Sequence, residues 1–85
     1  MMAIFTLGAD EIRVRQMENI AEAWGFGGKY SSIEKLMDDA RKKKFDSILV
    51  VDREAIEDDV KIKLNELNVE IIGFRDKKIL EKKIF

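Results

Sequence analysis

The sequence predicts one α/β domain built on a parallel sheet with helices on both faces, and three observations carry that expectation. Ser47 is followed by Ile48-Leu49-Val50-Val51, an apolar run without polar alternation, as a strand buried on both faces of a parallel sheet requires. The stretches on either side of it repeat apolar residues at steps of three and four, the period of a helix with one buried face. Two further apolar runs, residues 3–7 and 69–74, stand beyond those helical stretches. Strands joined through helices make right-handed crossovers, and such crossovers produce a parallel sheet.

The first run, AIFTL at 3–7, reads as a strand broken by Gly8. Asp10 then stands in position to cap a helix whose buried face is Val14, Met17, Ile20, Ala21 and Trp24. Gly25-Phe26-Gly27-Gly28 ends that helix and reads as a turn leading to a short edge strand around Lys29-Tyr30. Ser31 with Glu34 has capping-box spacing and introduces a second helix with Ile33, Leu36, Met37 and Ala40 on one face. Arg41 to Lys44 close it, cations where the helix dipole favours them. Phe45 leads into the central strand, which ends on Asp52. A third helix follows with Ile56, Val60, Leu64 and Leu67, stopped at Asn68, and residues 69–74 (VEIIGF) form the last strand. The order β-α-(β)-α-β-α-β, with three or four parallel strands, describes a flavodoxin-like three-layer sandwich. The domain is expected over residues 1–76, with 77–85 as an amphipathic basic tail.

Composition narrows the chemistry. A chain of 85 residues has room for one modest core. Hydrophobic residues at 46% exclude a disordered chain, and 16 basic against 17 acidic residues leave no global field for nucleic acid or a membrane surface. Neither Cys nor His occurs, which removes disulfides, thiol catalysis and the usual zinc ligands. A hard cation such as Mg²⁺ on carboxylates stays open. With no apolar run of about 18 residues and no leader pattern, the expectation is a cytoplasmic protein without membrane insertion.

The carboxylates at the strand ends are the sharpest site candidates. Asp10 and Glu11 follow the first strand, and Asp52 and Glu54 follow the central one, at the edge where open α/β sheets place ligands. Asp10, Glu11 and Asp52 therefore read either as ligands of a Mg²⁺ ion or as helix caps and first-turn acids. Ser31 and Ser32 have no His to activate them, so no nucleophilic centre is expected. The glycine cluster follows a helix rather than a strand and does not match a phosphate-cradling loop. The basic runs lack interleaved aromatics, so nucleic acid is not an expected partner.

The tail, residues 75–85 (RDKKILEKKIF), carries five basic and two acidic residues, a net charge of +3. Its cations Arg75, Lys77, Lys78, Lys82 and Lys83 accompany the apolar Ile79, Leu80, Ile84 and Phe85, a composition suited to burial against a protein partner or against its own sheet.

Three resemblances follow from these stretches. IFTLG, the weak second strand, the ILVV strand with its acidic end and the basic amphipathic tail resemble, in arrangement, the small stalk protein known as the F component of archaeal and vacuolar-type rotary ATPases. That resemblance implies a non-catalytic subunit of the central stalk, docked on the shaft, whose tail modulates the nucleotide-hydrolysing ring. FDSILVVD also resembles the central strand of a response-regulator receiver domain, which implies a phosphorylated Asp52 with Asp10 and Glu11 near a metal. Asp52-Arg53-Glu54 is similar to the DxD motif of Toprim domains. Leu7 stands where that family has a glutamate, which implies a nucleic-acid-associated domain without the full catalytic set.

Overall fold

The computed structural model describes residues 1–74. Along them run β1 (Met2–Phe5), α1 (Glu11–Trp24), β2 (Phe26–Tyr30), α2 (Ile33–Arg41), β3 (Ser47–Val50), α3 (Asp58–Glu66) and β4 (Glu70–Gly73). A 3-10 turn at Arg53–Ala55 lies between β3 and α3. All strand pairs are parallel, in the order β2-β1-β3-β4. β1 and β3 are thus the central strands, and both are buried along their whole length, which is why their sequences show no polar alternation.

Strand alternation splits the core into two layers. Ala3 and Phe5 of β1, with Ile48 and Val50 of β3, pack with Leu36, Met37 and Ala40 of α2 and Leu64 of α3. Met2, Ile4, Leu49 and Ile72 face the other way and pack with Met17 and Ala21 of α1, flanked by Val14, Ile20 and Trp24. The predicted buried faces of α1 and α2 are therefore the observed ones. The flavodoxin-like three-layer arrangement holds, with four strands.

The boundaries correct the sequence reading in five places. β1 ends at Phe5, and Leu7 lies beyond it, 51% exposed. The glycine cluster is not a turn: Gly27 and Gly28 lie inside β2, which begins at Phe26. A Cβ on Gly27 would stand 3.0 Å from the Ala3 amide nitrogen and from Phe45 Cβ, so close backbone approach requires glycine in this edge strand. Gly25 alone makes the turn, with φ of 92° and its N–H donated to the Glu22 carbonyl. Ser32, not Ser31, caps α2, its hydroxyl accepting from the Lys35 amide at 3.4 Å. α3 begins at Asp58, and Ile56 reaches the core from the irregular segment before it. The last strand is shorter than residues 69–74, and Val69 is buried just ahead of it.

Candidate functional site

The carboxyl end of the sheet gathers the β1–α1 corner and the β3–α3 segment, because β1 and β3 are neighbours. Asp10 and Asp52 follow those two strands, and both are exposed. Each carboxylate is engaged with its own backbone. Asp10 Oδ1 accepts from the Arg13 amide at 2.8 Å as the α1 N-cap. Asp52 Oδ1 accepts from the Glu54 amide at 3.1 Å and caps the 3-10 turn rather than α3. Glu11 occupies the first turn of α1, where the helix dipole favours an acid. Among the described residues no three His, Cys, Asp or Glu side chains form a group able to hold a metal ion.

Glu11 lines a groove of about 410 Å³ beside α1, together with Thr6, Val14, Arg15, Glu18 and Lys29. A second groove, of about 530 Å³, runs between α2 and α3 over Ile33, Met37 and Val60. A third, of about 320 Å³, opens at the amino end of the sheet beside Lys43, Lys44 and Asn68. Asp10 and Asp52 line none of these three. Instead, the β1–α1 corner exposes apolar surface: Leu7 is 51% and Ile12 71% exposed. The Arg13 guanidinium lies 4.4 Å above the Phe74 ring and ties the start of α1 to the end of β4.

One polar group escapes the sequence reading. Asp39 of α2 is only 4% exposed, and its carboxylate accepts a 2.6 Å hydrogen bond from the Tyr30 hydroxyl. Lys44 and Lys35 place their ammonium groups 3.6 and 3.9 Å from its other oxygen. The hydrogen bond from Tyr30, helped by those cations, holds the Asp39 carboxyl below the usual carboxylate range against the opposing effect of burial. Burial, with the adjacent acid, pushes the Tyr30 phenol up to about 12. The signal in the sequence is faint, since Asp39 falls three residues after Leu36, at the border of the apolar face rather than within it. The tail residues Arg75, Lys77, Lys78, Ile79, Leu80, Lys82, Lys83, Ile84 and Phe85 lie outside the described residues.

Fold and site together define a small doubly wound α/β domain in which Asp10 and Asp52 cap backbone and the carboxyl edge of the sheet carries exposed apolar side chains. No family model, curated protein or solved structure matches the chain. No helix among the described residues is long and apolar enough to cross a membrane.

Proposed function

We propose that the chain is a small non-catalytic protein-interaction module that regulates or couples a larger assembly, its most concrete form being a central-stalk subunit of a rotary ATPase. The observation that carries this reading is the β1–α1 corner, where Leu7 and Ile12 stand in solvent at the end of the sheet at which this architecture meets its ligands. A partner that covers them gains apolar burial of about 25 cal/mol per Å². Asp10 and Asp52 at the same edge each cap local backbone, and the apolar corner stands beside them. A second reading, a Mg²⁺-binding signalling domain, draws support from Asp10 and Asp52 following adjacent strands.

The test pairs full-length protein with its Leu7→Asp variant. Each is used as bait in its native lysate with cross-linking, beside a Mg²⁺ titration followed by amide NMR. Shaft and catalytic subunits of a rotary ATPase recovered by the wild type and lost by Leu7→Asp support the stalk form. Saturable Mg²⁺ shifts at Asp10 and Asp52, with a capture profile indifferent to Leu7→Asp, overturn the interaction reading in favour of the second.

A further inference from the structure

The outer face of α1 carries a pattern that its packing on the sheet does not use. Ile12, Gln16, Asn19 and Ala23 follow one another at steps of four, three and four, and all four are exposed. At 3.6 residues per turn they fall within an arc of about 60°, opposite the buried Met17 and Ala21. In a chain with 39% charged residues this stripe holds no charge, and its first residue, Ile12, is the most exposed of the large apolar side chains among the described residues. The spacing is that of the contact seam of two packed helices. Along one flank of the seam stand Arg15 and Glu22, seven residues apart and both exposed.

We infer that α1 is a self-association surface, on which a second copy of this chain packs its own α1 antiparallel about a two-fold axis between Gln16 and Asn19. Self-complementarity selects that occupant. Ile12 then meets Ala23 of the other copy, filling the space beside the small side chain, and Gln16 meets Asn19, amide to amide. Flanking positions pair like with like in an antiparallel helix pair, so Arg15 faces Glu22 of the other copy, and the symmetry repeats the ion pair. A parallel pairing instead sets this flank against the opposite flank of the other copy, where Ile20 stands across from Arg15, and forms no reciprocal ion pair. Neither Arg15 nor Glu22 is committed to an ion pair among the described residues. The contact spans a single helix of 14 residues, so it falls below the area of a permanent dimer. A reversible dimer with a dissociation constant between about 10 µM and 1 mM is expected.

This pairing shares Ile12 with the partner-covered corner proposed above, so partner and second copy exclude one another there, but its test is separate because it is measured on the purified full-length chain with Leu7 intact and no partner present. The experiment is sedimentation equilibrium and native mass spectrometry of the wild type, Arg15→Glu and Glu22→Arg, with circular dichroism confirming that each variant keeps its helix content. Either single variant turns both ion pairs into repulsions and weakens the dimer by about tenfold or more. Mixing the two weakened variants restores dimerisation selectively as a heterodimer, since every flanking pair is then of opposite charge. A wild type that stays monomeric at about 1 mM overturns the inference, and so does a dimer that ignores both charge reversals or a mixture that gains no heterodimer.

Discussion

Tyr30 and Asp39 show how much one side-chain pair sets the pH response of this domain. The phenol's folded value, about 12, lies above its ordinary 10.0, so the fold favours the protonated form. Its contribution is complete below pH 10 and is lost as pH rises toward 12. Asp39 works in the opposite sense, since its folded value lies below 3.8 and its contribution is present above that pH. It is lost as pH falls through the lower folded value. Because Tyr30 is the only tyrosine, phenolate absorbance reports its titration directly. The native midpoint is expected near 12, against about 10 for the urea-unfolded chain. Tyr30→Phe removes the hydroxyl that most lowers the Asp39 value, so the acid limb of the stability curve moves to higher pH. At neutral pH the variant costs about 1–2 kcal/mol by urea titration. An acid limb that does not move would show that Lys35 and Lys44 alone hold Asp39 ionised.

At the level of elements, the edge strand is the hardest part to read and β3 the easiest. An uninterrupted Ile48-Leu49-Val50 has few alternatives in a short chain flanked by helical periodicity, and it forms the predicted strand, which stops at Val50 rather than reaching Val51 and Asp52. β2 contributes three of its residues as Phe26, Gly27 and Gly28, and glycines announce turns by propensity. What overrides propensity here is a tertiary requirement, the space beside Ala3 and Phe45, and no local pattern encodes it. The serine cap of α2 lies one residue beyond its expected place because Ser31 and Ser32 are adjacent, and only backbone geometry decides which hydroxyl reaches an amide three residues on. Asp10 has no such competitor and caps α1 as its position predicts. Gly27 then supplies a sharp test. Gly27→Ala drives a Cβ to 3.0 Å from the β1 backbone and is expected to cost about 1–3 kcal/mol, with amide shifts concentrated in β1 and β2. Gly8→Ala meets no atom within 4 Å and bears only the strain of its φ of 80°, about 1 kcal/mol, with changes confined to its loop. Equal costs from urea titration, with equal chemical-shift footprints, would mean that β2 yields and the close approach is not required.

Across the whole molecule, the two core layers share one pair of central strands, so neither layer is able to fold or fail alone. Ile48 belongs to the layer under α2 and α3, and Leu49, its neighbour in β3, to the layer under α1. Both are fully buried. A domain of 85 residues has a total stability of about 4–13 kcal/mol, and truncating a buried Leu or Ile to Ala removes about 2–5 of it. The backbone of β3 is common to both sides and is hydrogen-bonded to β1 and β4, so a cavity in one layer loosens the ladder that supports the other. Leu49→Ala is therefore expected to lower hydrogen-exchange protection in α2 as much as in α1, and Ile48→Ala to do the same in reverse, with one cooperative urea transition in each case. Protection lost only in the helix beside the truncated side chain would instead divide the domain into two independently opening units. The surfaces proposed on α1 and at the β1–α1 corner would then rest on a substructure that opens without the rest, and binding of the proposed partner there would stabilise α1 but leave α2 and α3 unchanged.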